Sequence, residues 1–154
     1  MASSAAHIMN WTPQPWGSMP MTRPLDTVAA RLRQALAAAG PGSSDFDLNP
    51  ETVLPAGRKL RPAGVLVAVQ PGPRGAELIL TKRSSALRHH PGQIAFPGGK
   101  QDPEDADVIA CALREAREEI ALPAGHAQVL GTLPAHETVT GFLMTPVVAL
   151  VTRP

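Results

Sequence analysis

The chain has no tyrosine, three phenylalanines, two tryptophans and one cysteine in 154 residues. With rings this scarce, and with 24 of the apolar residues being alanine, Val, Leu and Ile must fill most of the core. One cysteine excludes an intramolecular disulfide and any zinc site built from several thiolates. It is compatible with a reducing compartment, and a cytoplasmic location is expected. No apolar run approaches ~18 residues, so no transmembrane helix and no membrane partner are expected. A strong charge balance is missing too. The net charge is +1, which by itself argues for no partner, and no nucleic acid is expected. What is abundant is turn-forming residues, 13 Gly and 17 Pro. The length fits one compact domain rich in loops.

Residues 1–23 show no helical or strand period and are broken by Pro13, Pro15, Gly17 and Pro20, so they read as a flexible extension. The domain is expected over residues 24–154. Leu25, Val28, Leu32, Ala35 and Leu36 repeat at helical spacing, predicting an amphipathic helix from Pro24 to Ala39, stopped by Gly40-Pro41. A loop follows over 41–62. Gly64 to Gln70 and Glu77 to Lys82 read as the two strands of a hairpin around Pro71 to Gly75. Arg83 to Gln93 is irregular and basic. Ile94 to Phe96 is a short strand ending in a Pro97-Gly98-Gly99 turn. Glu104 to Ala121 is the strongest helix, with Ile109, Leu113, Ala116 and Ile120 as its apolar stripe. Gln128 to Leu133 and Phe142 to Val151 read as strands joined by a polar loop. This order predicts a mixed α+β domain rather than a regular βαβ winding.

Charge is unevenly placed. Arg58 to Lys100 holds eight basic residues and one acid, whereas Gln101 to Leu122 holds seven acids and two bases. Two solvated faces of opposite sign would explain this. A site in which carboxylates hold a divalent cation beside a basic rim would explain it as well. On a helix turning ~100° per residue, Glu115, Glu118 and Glu119 fall together, opposite the apolar stripe. Like charges three and four apart repel by a few tenths of a kcal/mol per pair. A bound Mg²⁺ or Mn²⁺ converts that repulsion into coordination, because both ions prefer carboxylate oxygens. Arg114 lies one turn from Glu118 and is placed to orient it. The glycines ahead of the helix allow backbone to approach a metal or a phosphate closely.

The stretch from Gly99 to Leu122 resembles the Nudix box, G-x5-E-x7-R-E-U-x-E-E-x-G-U, where U is aliphatic. Arg114-Glu115-Ala116-Arg117-Glu118-Glu119 matches its second half. Two departures stand out. Ala121 replaces the last glycine, and one extra residue leaves the isolated box glutamate unmatched. Counting back from Arg114 puts Ala106 there, with Glu104 and Asp105 nearby. Upstream, Leu80 to Gly99 resembles the additional motif of the coenzyme A diphosphatase branch of the Nudix hydrolases, through Arg83, Ser84, Leu87, Arg88, His90, Gly92, Gln93 and Phe96. That branch carries the longer box and tolerates Ala at the glycine position.

The resemblance covers about residues 60 to 152 and implies a Nudix fold, an α/β/α sandwich with a mixed sheet between helices. It implies hydrolysis of the pyrophosphate bond of coenzyme A or an acyl derivative, giving 3′,5′-ADP and (acyl-)4′-phosphopantetheine. Other substrates with the same linkage are ADP-ribose, nucleoside diphosphate sugars and dinucleoside polyphosphates. A reading from another class is an inactive binding module. Mg²⁺ or Mn²⁺ would be held by Glu115, Glu118, Glu119 and the Gly98 carbonyl. Glu115 is the favoured base, Glu119 a further catalytic carboxylate, and Arg114 the residue that orients the cluster. Arg83, Arg88, His90 and Gln93 are candidate substrate contacts. A structural ion pair competes for the two arginines, loop-bracing competes for Gln93, and an ordinary surface hydrogen bond competes for His90. His89 is a weaker candidate and Glu137 an alternative base. Cys111 reads as a small helix residue, since no activating base is apparent. Domains of this kind normally continue beyond the last strand. Either the chain is a fragment or a partner chain, such as a second copy in a homodimer, completes it.

Overall fold

A computed structural model describes residues 22–49, 51–55, 57–73, 75–82, 92–123 and 125–152. The elements run α1 (Thr22–Ala37), β1 (Ser43–Ser44), β2 (Arg61–Gly72), β3 (Gly75–Ile79), β4 (Thr81–Lys82) and β5 (Ile94–Ala95). They continue with β6 (Gly98–Lys100), α2 (Val108–Ile120), β7 (Ala127–Thr132), β8 (His136–Glu137) and β9 (Phe142–Val151). Among the described residues, no helix is long and apolar enough to cross a membrane.

Strands β2 and β9 are the spine. They pair in parallel from Arg61–Phe142 to Val69–Leu150. The outer edge of β2 is shared, with β6 against residues 63–65 and β3 against residues 68–72, both antiparallel. The outer edge of β9 is shared in the same way by β8 and β7, and β1 lies beyond β8. Antiparallel and parallel pairs therefore mix in one sheet, as the sequence pattern and the Nudix resemblance imply.

Alternation along the spine decides what each face meets. Leu66, Ala68, Val147 and Ala149 pack on Ala112, Ala116 and Leu122 of the α2 side. Val69 and Leu150 point the other way and pack on Ala29 of α1, with Val28, Leu32 and Leu130 around them. Both helices thus cover the sheet, one on each face. Burying Leu66 alone contributes about 1.5–3 kcal/mol. Small residues bring the layers close. A Cβ on Gly64 would overlap the Val108 carbonyl and lie 3.1 Å from the Ala112 nitrogen, so only glycine lets α2 lie directly on β2.

The expected elements need correction in several places. Ser43–Ser44 in the expected 41–62 loop form β1, and the expected returning strand Glu77 to Lys82 is split between β3 and β4, which pairs with β5 in a second, two-stranded sheet. The helix begins at Val108, not Glu104, because Asp107 caps it by accepting the Ala110 N–H at 2.8 Å. The Pro97-Gly98-Gly99 turn is in fact the entry to strand β6. Leu66 N–H donates to the Pro97 carbonyl at 2.8 Å, and Gly98 and Gly99 lie opposite Val65 and Gly64. The polar loop before β9 contains the short strand β8, so Glu137 is a strand residue. Ala121, which replaces the box glycine, ends α2 in the left-handed region at φ 53°. That is the conformation in which a glycine would carry no Cβ strain.

Candidate active site

The site is built where β6 passes under α2. Gly99 has no side chain, and a Cβ there would lie 2.5 Å from Glu115 Oε1. The missing methyl group leaves the room that the Glu115 carboxylate occupies against the strand. One step earlier, the Gly98 N–H donates to Glu119 Oε2 at 3.1 Å. Two of the three box carboxylates are thereby seated on the two-glycine strand. Cys111, one turn before Glu115, is buried, and its Sγ donates to the Gly99 carbonyl at 3.4 Å. Burial pushes its thiol pKa up, so it is no thiolate nucleophile.

Arg114 links the carboxylates. Its Nη1 donates to Glu115 Oε1 at 2.9 Å and to Glu118 Oε2 at 3.4 Å. Nη2 also reaches the Lys100 carbonyl at 3.3 Å. The other edge of the guanidinium holds Asp105 through both oxygens, at 3.0 and 2.9 Å. Asp105 is also fixed by the Asp102 N–H at 2.9 Å. Its pKa is lowered, mainly by the Arg114 hydrogen bonds and then by the Asp102 N–H. Arg114 is in turn held more firmly charged, first by Asp105.

Asp105 is the acid bound to Arg114 that counting back from Arg114 passed over. Six residues on from Gly99, it takes the place the box reserves for its isolated acid. The extra residue is absorbed between it and Arg114, in the loop and Asp107 cap that precede the helix. Counting forward from the glycine would have found it.

Among the described residues, no three His, Cys, Asp or Glu side chains are gathered into a set that could hold a metal ion. Glu115 and Glu118 are turned to Arg114, and Glu119 to the Gly98 N–H. The donor chemistry nevertheless suits a hard divalent cation: carboxylate oxygens from adjoining helical turns, two of them against a glycine strand. For Gly98 the observed contact is through its N–H, whereas the sequence reading used its carbonyl.

Arg83, Arg88, His89 and His90 lie outside the described residues. Gln93 is exposed, just before β5. The pairing of Thr81–Lys82 with Ala95–Ile94 draws together the chain on either side of that basic segment, next to the start of β6. Glu137 does not join the carboxylate cluster. It forms an ion pair with Arg58, which the sequence reading did not single out.

Comparison with known proteins agrees with this geometry. The NUDIX domain matches residues 60–152. The "Uncharacterized Nudix hydrolase NudL" of Enterobacter sp. (strain 638) is 50% identical over 95 residues, covering 59% of this chain and 47% of that protein. The protein of the same name from Cronobacter sakazakii (strain ATCC BAA-894) is 53% identical over 91 residues, with the same coverage of 59% and 47%. The chain spans about half the length of these curated relatives. Among solved structures, a Nudix hydrolase from M. Smegmatis, RenU, is 28% identical, with a TM-score of 0.51 over 61% of this chain and 63% of that one. With a family match over most of the chain, and with the box carboxylates, their arginine and their glycine strand assembled in one place, this chain belongs to the NUDIX domain family.

Proposed function

We propose that the chain carries the catalytic site of a diphosphatase that cleaves the pyrophosphate linkage of coenzyme A or a short acyl derivative. The products are 3′,5′-ADP and (acyl-)4′-phosphopantetheine. The observation that carries the reaction class is the seating of Glu115 and Glu119 on Gly99 and Gly98, with Arg114 joining Glu115 and Glu118. The substrate assignment rests on the Leu80–Gly99 motif, whose described ends pair beside that seat.

Glu115, Glu118 and Glu119 would hold Mg²⁺ or Mn²⁺. When bound, such an ion neutralises the diphosphate, polarises phosphorus and lowers the pKa of an attacking water. Glu115 would be the residue that takes a proton from the attacking water. Arg114 orients Glu115 and Glu118, and Asp105 fixes Arg114 from behind. Arg83 and Arg88 receive phosphate oxygens, for which a guanidinium is suited by its planar fork. His90 and Gln93 would supply further polar contacts to the substrate.

Side-by-side turnover of coenzyme A, ADP-ribose and a dinucleoside polyphosphate with Mg²⁺ or Mn²⁺ tests this reading. Coenzyme A is expected to have the highest kcat/KM. A preference for ADP-ribose by about tenfold or more overturns the substrate assignment. Metal-independent turnover overturns the mechanism.

A further inference from the structure

Outside the box, a polar cluster among the described residues ties the β1 region to the segment before β9. Asp45 Oδ1 accepts from His136 Nε2 at 3.0 Å, which leaves Nδ1 to accept from the Ser43 hydroxyl at 2.9 Å. Asp45 Oδ2 accepts the Val139 N–H at 2.7 Å, and the Asp45 N–H donates to the Glu137 carbonyl at 2.9 Å. The Ser–His–Asp order suggests a nucleophile, but the backbone excludes an oxyanion site here. The N–H groups of Ser43, Ser44, Asp45 and Phe46 donate to Ala135 O, Asp47 Oδ2, Glu137 O and Ser44 Oγ. The cluster is a clasp, and what it fixes is the loop that carries Glu137.

Register shows where Glu137 points. It is paired with Leu143, so the two share a face. Leu143 alternates with Val147 and Ala149, which pack on α2. Glu137 therefore lies on the sheet face that carries the box carboxylates. Strands β6, β2, β9 and β8 are consecutive neighbours, so Glu137 is about 14 Å across that face from β6, roughly the span of a nucleotide.

There Glu137 holds the Arg58 guanidinium, whose Cζ also lies over the Phe46 ring, 5.3 Å from its centroid. The Arg58 side chain is 25% exposed. One carboxylate and one ring face cannot use all five N–H donors of a guanidinium. An arginine fixed by a carboxylate on one side and a ring on another is pre-organised to receive an anion with its remaining donors.

Resting on the diphosphatase reading, we propose that Arg58 is a specificity-determining residue that receives an anionic group of the substrate remote from the bond that is cut. For a nucleotide substrate that group is a phosphate on the ribose. Glu137 and the Asp45–His136 clasp are positioning residues for it.

The test is calorimetric binding of two probes that differ by one phosphate, 3′,5′-ADP and 5′-AMP, to the full 154-residue chain. The unaltered protein is expected to bind 3′,5′-ADP about fivefold or more tightly than 5′-AMP. Arg58→Gln should collapse that ratio to about twofold or less by weakening only 3′,5′-ADP, and Arg58→Lys should restore part of it. Glu137→Gln, which keeps the shape and removes the charge that fixes the guanidinium, should weaken 3′,5′-ADP and leave 5′-AMP unchanged. If the Arg58 variants fail to fold, Glu137→Gln decides alone, and equal affinities in it and the unaltered protein overturn the inference. A ratio that survives Arg58→Gln in a folded protein also overturns it. Coenzyme A turnover on the same preparations separates the two readings. Turnover with a ratio indifferent to Arg58 sinks this inference alone. A ratio that collapses without coenzyme A turnover sinks the diphosphatase reading alone.

Discussion

Arg114 grips both carboxylate oxygens of Asp105, Nε to Oδ1 at 3.0 Å and Nη2 to Oδ2 at 2.9 Å, while its Nη1 holds Glu115 at 2.9 Å. One guanidinium thus joins the loop before α2 to the carboxylates on it. Fixing Arg114 from the loop side leaves a single direction for its other edge, which is how a non-ligand acid sets the position of Glu115 and Glu118.

The Asp105 contact has a pH signature. Its folded-state pKa is lowered by Arg114 and the Asp102 N–H. Its stabilisation is therefore complete above the unfolded carboxylate value of ~3.9 and is lost as pH falls through the lower folded value. Asp105→Asn should lower Tm by several degrees at pH 7 and flatten the stability loss below about pH 4. Thermal melts of both proteins from pH 7 to pH 2 measure this. Parallel acid limbs would mean that Asp105 does not titrate as described.

Gly64 and Gly99 should respond oppositely to a methyl group. At Gly64 the added Cβ meets the Val108 backbone carbonyl, which cannot move without the helix. Gly64→Ala should cost about 1–3 kcal/mol of stability in denaturant titration. At Gly99 the atoms nearest the Cβ are those at the end of the flexible Glu115 side chain. Gly99→Ala should leave stability within about 0.5 kcal/mol while displacing that carboxylate and abolishing most turnover. Equal destabilisation by the two substitutions would contradict this assignment of roles.

Glu119→Gln keeps an oxygen for the Gly98 N–H and removes the charge. It should reduce kcat by about a hundredfold or more without unfolding the protein. Near-normal turnover in that variant would remove Glu119 from the proposed metal set.

Cation binding should be visible without substrate. A ligand at a hundred times its dissociation constant adds ~2.7 kcal/mol, so millimolar Mn²⁺ or Mg²⁺ should raise Tm by about 5 °C or more. Glu115→Gln and Glu118→Gln should each reduce the shift. A melting curve of the folded protein indifferent to Mn²⁺ would mean that the carboxylates act as a solvated, Arg114-bridged face.

Ala121 holds φ 53°, where its Cβ is strained. Ala121→Gly should stabilise by a few tenths to about 1 kcal/mol, the strain relieved less the glycine entropy cost. Denaturant titration decides; a loss of stability would mean that the methyl group makes a packing contact worth more than its strain.

Local pattern was enough for much of this protein. The apolar stripe of α2, the β2–β3 hairpin and the bounds of β9 follow from spacing and turn residues, because such patterns report which side of an element meets the core. The Nudix family was readable from Arg114-Glu115-Ala116-Arg117-Glu118-Glu119 and the glycines before it. Tertiary structure decided the rest. Gly98 and Gly99 became a strand because β2 offered an open edge beneath α2, and no local signal reveals a long-range partner. Asp105 was selected over Glu104 and Ala106 because only its carboxylate turns in to Arg114 once Asp107 has taken the cap. Glu137 was drawn from the box to Arg58 because β8 pairs with the near end of β9, three strands from Gly99. Sequence spacing prescribes which side chains share one helix or strand; which carboxylate meets which arginine is set by pairings between residues far apart in the chain.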